Sequence, residues 1–183
     1  RVALPTGPTN EIAAGGRWLT RGANGAGKST LLAMLAGRLR PDGGSVTRAP
    51  PARVGLLDQE DRFDPDRTPL EAIARAERPV LDPDDARSAV VRTGLLRADD
   101  LDRPLGRLST GQRRRVALAG LLIRQPDVLL LDEPTNHLSV ALVDDLTDAL
   151  LDTPAAVVLV THDRTMLSRI AGWPALTLTP AGR

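Results

Sequence analysis

The 183-residue chain contains no cysteine and no tyrosine, one phenylalanine, two tryptophans and two histidines, His137 and His162. Without cysteine it can hold no disulfide framework, no thiolate zinc centre and no cysteine nucleophile. Two imidazoles leave almost no room for a histidine metal centre. Long apolar runs are missing as well: the longest, Val116 to Ile123, falls far short of the ~18 residues that a membrane-spanning helix requires. No charged-then-apolar leader opens the chain, so a cytoplasmic location is expected. An excess of either charge is also lacking, since 24 basic and 23 acidic side chains leave +1. That balance gives no compositional case for a protein that coats nucleic acid or a membrane surface. With 42% apolar and 26% charged residues, the composition is that of an ordinary globular chain, and its length suits one compact domain, residues 1–183. The chain opens at Arg1 rather than Met, as expected of a fragment.

Lysine is the scarcest charged residue. Lys28 is the only one, against 23 arginines. Abundant Arg, Ala, Gly and Pro with almost no Lys reflects a GC-rich coding bias, so the neighbours of a surviving lysine are of interest. Strand-like runs fall at Trp18–Leu19, Arg53–Leu57, Val128–Leu131, Ala155–Val160 and Ala175–Leu178. The runs at 128–131 and 155–160 are continuously apolar, the pattern of strands buried on both faces of a parallel sheet. Between them lie helices with their own punctuation. Ser29 to Ala36 stops at Gly37, Thr68-Pro69 and Asp82-Pro83 pair an N-cap with proline, and the second of these helices runs to Gly94. Ser109 caps a helix to about Arg124, and Ser139 one to about Leu151. The alternation predicts an α/β fold with a mainly parallel sheet flanked by helices. A strand-free, Asp- and Pro-rich stretch from about 61 to 106 predicts an inserted helical subdomain, spanning about 61–125 once the Ser109 helix is included.

The eight residues Gly22-Ala23-Asn24-Gly25-Ala26-Gly27-Lys28-Ser29 match G-x-x-x-x-G-K-[ST], followed by Thr30, between a predicted strand and a predicted helix. The glycines let the backbone wrap a phosphate chain with its N–H groups turned inward, and the helix start adds the positive end of a dipole. Lys28 would reach the β- and γ-phosphates, and the Ser29 hydroxyl would ligate Mg²⁺. Farther on, Val128-Leu129-Leu130-Leu131 ends in Asp132-Glu133. There Asp132 can hold the Mg²⁺ shell and Glu133 can polarise an attacking water as general base.

Leu108-Ser109-Thr110-Gly111-Gln112 completes the pattern. With the two preceding motifs it resembles the signature of the ATP-binding cassette (ABC) family, LSGGQ, with Thr110 in place of a glycine. The resemblance implies a phosphate-loop ATPase that binds ATP and Mg²⁺. It implies that Ser109, Gly111 and Gln112 clamp the γ-phosphate held by a second cassette. Gln59 matches the family's Q-loop, next to the nucleotide and its Mg²⁺, and His162 matches the switch histidine that senses the γ-phosphate. Asp132-Glu133-Pro134-Thr135-Asn136-His137-Leu138 is similar to the ABC-F branch, whose members carry two cassettes and no membrane domain. Members of that branch act on ribosomes in translation or antibiotic resistance. The partner is then a second cassette, in the same full-length chain or as a homodimer, with the ribosome reached through segments absent here and no direct membrane insertion. The resemblance is closest to a C-terminal cassette.

Two positions depart from the family pattern. Ser139 stands where an Asp bridges the two nucleotide sites, and no aromatic occupies the adenine-stacking position: Trp18 lies too near the phosphate loop and Phe63 lies downstream. Two other readings compete. One is the ATP-binding subunit of a membrane transporter, against which Asn136-His137-Leu138 argues. The other is a nucleotide sensor with little turnover, suggested by the two departures. A DNA-repair cassette is disfavoured by the missing zinc cysteines and coiled-coil insertion.

Overall fold

The computed structural model describes residues 2–3, 11–60, 63–76 and 82–180. In chain order its elements are β1 (Val2–Ala3), β2 (Arg17–Arg21), α1 (Lys28–Leu35), β3 (Val54–Leu57), α2 (Pro69–Ala76), α3 (Pro83–Arg92) and α4 (Thr110–Ile123). There follow β4 (Val128–Asp132), α5 (Val140–Asp152), β5 (Ala156–Val160), α6 (Arg164–Arg169), β6 (Ala175–Thr177) and β7 (Thr179–Pro180). Single 3-10 turns lie at Ala98–Asp100 and Leu105–Arg107. The chain divides into two compact units: Arg1–Gln59 with Pro126–Thr135 and Ser139–Arg183, and Glu60–Gln125 with Asn136–Leu138.

The first unit is built on a five-stranded sheet in the order β3-β4-β5-β2-β6. Every pairing in it is parallel, with Leu131 opposite Leu159 and Leu19 opposite both Leu159 and Ala175. The continuous apolar runs occupy its interior: Leu129 to Leu131 and all of Ala156 to Val160 are buried. Burial of each such leucine or valine contributes roughly 1.5–3 kcal/mol. Leu32 of α1 packs against Leu130, Val158 and Val160, which clamps the helix that follows the glycine loop onto the sheet. Trp18, partly buried, packs against this cluster. A short antiparallel pair, β1 with β7, was not expected from the sequence.

Parallel strands end on the same edge, so β2, β5 and β4, which are neighbours, deliver Gly22, Thr161 and Glu133 to one side of the sheet. Ligands of open parallel sheets bind at that carboxyl edge.

The helix ends follow the sequence punctuation with small shifts. Helix α1 stops at Leu35 in a Schellman motif: Gly37 has φ 70°, its N–H reaches the Met34 carbonyl at 2.9 Å, and the Arg38 N–H reaches that of Ala33 at 2.9 Å. Ser139 precedes α5 in an extended conformation, but its side chain makes no capping hydrogen bond, so its predicted capping role is confined to the backbone. The last strand of the large sheet stops at Thr177 rather than Leu178, which is buried beside Ala26 and Leu31. No helix among the described residues is long and apolar enough to cross a membrane.

The second unit contains α2, α3, α4 and both 3-10 turns, with no strand among its described residues. Thr68 and Glu71 form a capping box, the Glu71 N–H reaching Thr68 Oγ1 at 3.2 Å and the Thr68 N–H reaching Glu71 Oε2 at 2.9 Å. Asp82 caps α3 by accepting the Asp84 N–H at 2.9 Å. A separate core forms around Val90, Leu101, Leu105, Leu108, Val116 and Ala119.

Candidate active site

Gly22 leaves β2 with φ 153°, and a methyl group added there would lie 2.7 Å from the Leu178 carbonyl oxygen. Only glycine lets the loop run this close to the chain just past β6. The loop then turns through Ala23 to Gly27, and Gly27 (φ 92°) is the N-cap of α1 with no side chain covering the first-turn amides. Ala26 is buried and pins the loop from below, while Asn24, Ser29 and Thr30 are exposed. The ammonium of Lys28 donates to the carbonyl of Gly22 at 2.8 Å and to that of Ala23 at 3.1 Å. The one lysine therefore lies across its own loop, at the edge where the strands end.

Asp132 closes β4 and is 2% exposed. Glu133 follows with φ 46°, a left-handed turn that redirects the chain, and its N–H donates to the Val160 carbonyl at 2.9 Å. This bond ties the end of β4 to the end of β5. The carboxylate of Glu133 accepts the backbone N–H of His162 at 3.2 Å, and the His162 Nε2 lies 3.4 Å from Glu133 Oε1. Burial pushes the Glu133 carboxyl above its usual range, with the Asp132 charge adding to the rise; the His162 N–H and the charges of His162 and Lys28 oppose it. A half-buried carboxylate of raised basicity, oriented by a neighbouring amide, suits a general base. The His162 ring is exposed beside that carboxylate.

Gln59 lies two residues past β3, exposed, its own N–H held by Asp58 Oδ1 at 3.1 Å. The oxygen donors assigned to Mg²⁺ are thus a buried carboxylate, Asp132, an exposed hydroxyl, Ser29, and an exposed amide, Gln59. This set fits Mg²⁺, a hard ion that takes one or two carboxylates, keeps waters and relies on substrate phosphates for the rest. Among the described residues, no group of three His, Cys, Asp or Glu could hold a metal by itself.

Ser109, Gly111 and Gln112 lie in the other unit, at the start of α4. Ser109 Oγ accepts the Gln112 N–H at 3.2 Å, and Gln112 Oε1 accepts the Ser109 N–H at 2.9 Å, a full capping box. The first-turn amides that the box does not take belong to Thr110 and Gly111. A methyl group on Gly111 would sit 2.7 Å from the His137 carbonyl oxygen, and His137 has φ 64°. Gly111→Ala should therefore destabilise the chain by about 1–3 kcal/mol, the usual cost of overpacking. Urea unfolding checks this; an unchanged midpoint would mean that the 136–138 segment gives way freely.

The sheet unit thus gathers Gly22 to Thr30, Asp132, Glu133 and His162 at its carboxyl edge, with Gln59 beyond a neighbouring strand, whereas the signature residues belong to the helical unit. Sequence reasoning missed the Val160 carbonyl as an anchor of Glu133 and Asp100 as a partner of Gln112, to whose Nε2 it is bonded at 3.0 Å. Backbone anchors leave no mark in the residue types. Asp100 could have been suspected from its place in an Asp-rich turn shortly before the signature.

A family model described as ABC transporter matches residues 7–136. The chain is 49% identical over 166 residues to the tylosin resistance ATP-binding protein TlrC of Streptomyces fradiae, covering 90% of this chain and 30% of that protein. It is 37% identical over 190 residues to the energy-dependent translational throttle protein EttA of Escherichia coli K12, covering 83% and 34%. It is also 37% identical over 152 residues to ATP-binding cassette sub-family F member 2 of Bos taurus, covering 82% and 24%. The chain therefore spans about a third or less of the length of these relatives. The dimeric structure of MJ0796, a bacterial ABC transporter cassette, shares the fold with a TM-score of 0.75 at 22% identity, over 92% of this chain and 84% of that one.

Proposed function

This chain belongs to the ATP-binding cassette family, and we propose that it is one cassette of an ABC-F ATPase, the C-terminal one, closing on a second cassette to bind and hydrolyse Mg·ATP. The observation that carries this reading is the meeting of Lys28, Asp132 and Glu133, with the His162 amide on the Glu133 carboxylate, at one edge of the parallel sheet. The amides of the Gly22 to Ser29 loop hold the phosphate chain, and Lys28 exchanges its two carbonyl partners for β- and γ-phosphate oxygens. Ser29, Asp132 and Gln59 would hold Mg²⁺, which would supply positive charge to the phosphate oxygens. Glu133 orients the attacking water and accepts its proton. His162 meets the γ-phosphate while its backbone N–H keeps the Glu133 carboxylate in place. The first-turn amides of Thr110 and Gly111, with Ser109, face the γ-phosphate held by the partner cassette.

The name of one relative, a translational throttle, supports the ribosome over a transport complex as the site of action. A cytoplasmic location follows from that reading. The test uses the full-length protein that contains this cassette, carrying Glu133→Gln, with Mg·ATP. It should co-sediment with ribosomes through a sucrose cushion, and do so less when ADP replaces ATP. Recovery with membranes instead would favour the transporter reading.

A further inference from the structure

The capping box that opens α4 works only if the Gln112 amide faces one way. Its Oε1 accepts the Ser109 N–H at 2.9 Å and its Nε2 donates to Asp100 Oδ1 at 3.0 Å. A glutamine can present either end. Turned over, it would set its NH₂ against the Ser109 N–H, donor against donor, and the box would open. Asp100 excludes that arrangement, because a carboxylate offers acceptors only.

Asp100 is itself firmly placed. It is 8% exposed, ends the first 3-10 turn, and accepts from Arg103 Nη1 at 3.1 Å. Arg103 also donates through Nη2 to the Arg107 carbonyl at 3.4 Å, two residues before Ser109. A carboxylate that is nearly buried carries a desolvation cost, offset here by the Gln112 Nε2 and Arg103 Nη1 donors. A neutral acceptor such as a backbone carbonyl would satisfy Gln112 equally well; the carboxylate adds an attraction that also organises Arg103 and the turn leading into the signature.

We propose that Asp100 is a positioning residue for the signature motif. It accepts from Gln112 Nε2 and so fixes the amide with Oε1 closed on the Ser109 N–H. The start of α4 then keeps the Thr110 and Gly111 amides turned outward, toward the phosphate held by the second cassette. The catalytic consequence rests on the two-cassette reading, whereas the fixing of Gln112 rests on the local geometry alone.

The two parts can be separated by reversing the polarity of the bond. Asp100→Asn no longer dictates which end of Gln112 it meets, and Gln112→Glu sets two carboxylates face to face. Combined, they restore a matched pair: the Asn NH₂ donates to one Glu oxygen, and the other accepts the Ser109 N–H. Amide exchange of Ser109, followed by NMR in the 183-residue chain, should speed up about tenfold in each single variant and return to within about twofold of the parent in the double. A purely structural role for Asp100 would give losses that add. Additive losses, or an unchanged exchange rate in Asp100→Asn, would overturn the proposal.

The same four proteins are then mixed with a parent second cassette. ATPase activity should fall in the Asp100→Asn protein, while the Mg·ATP affinity of that chain alone stays constant. Exchange that follows the swap without any change in ATPase would overturn the catalytic consequence. A parent chain whose activity ignores added cassette would sink the two-cassette reading instead, leaving the exchange data to decide the role of Asp100.

Discussion

Lys28→Ala should weaken Mg·ATP binding by about 100-fold or more, judged by titration calorimetry. Lys28 supplies a charged donor to phosphate, and each such contact is worth roughly 1.5–3 kcal/mol. No other lysine exists in the chain to take its place. The truncation also removes the two bonds by which the side chain braces the carbonyls of Gly22 and Ala23. Because Lys28 gives those two bonds up when phosphate binds, their loss adds nothing to the weakening, which the missing phosphate contacts carry. Affinity equal to that of the parent would show that the glycine loop holds its ligand by backbone amides alone.

Glu133→Gln should leave binding nearly intact and slow hydrolysis by about 10²–10⁴, the usual worth of a positioned general base. The amide keeps the shape and can still accept the His162 N–H through its oxygen, so the turn at the end of β4 should survive. What it cannot do is take a proton from water. A second signature follows from the raised carboxyl of Glu133. A carboxyl raised on folding favours the folded state fully below its unfolded value, and that contribution is lost as pH rises through the folded value. The amide does not titrate. Relative to the parent, the variant should therefore gain stability as pH rises out of the ordinary carboxylate range. Parallel urea unfolding at pH 4 and pH 7 checks this: a difference that stays flat would mean that Glu133 is as well solvated in the fold as out of it.

Much of this site could be read from the residues, because its parts announce themselves chemically. A glycine loop with a lone lysine, and two carboxylates after Val128 to Leu131, each combine rare residue types at fixed spacing. The two interior strands were legible because Val128 to Leu131 of β4 and all of β5 are continuously apolar, which no amphipathic helix of that length would be. Helix α6 was not, since Arg164–Arg169 is too short to display a helical period, and its only marker is Asp163 capping the Met166 N–H. The left-handed turn at Glu133 was equally hidden, because glutamate is not among the residue types enriched at positive φ. Ser139 misled in a small way: its type suits an N-cap, but in the fold only its backbone serves as one. Gly111 shows the converse, a signature glycine that a nearby carbonyl requires for steric reasons no sequence pattern discloses.

The central claim is that hydrolysis needs two cassettes, because Lys28 and Glu133 serve a site that the partner's copy of the signature completes. An open half-site neither fully preorganises charge nor excludes water. Specific ATPase activity of the 183-residue chain, measured over a dilution series, addresses this directly. The rate per molecule should be feeble, should rise with protein concentration or with added second cassette, and should rise further in Ser139→Asp, which restores a bridging carboxylate on both sides. A brisk rate that stays constant down to nanomolar protein would contradict the account, since it would place a complete site within one chain.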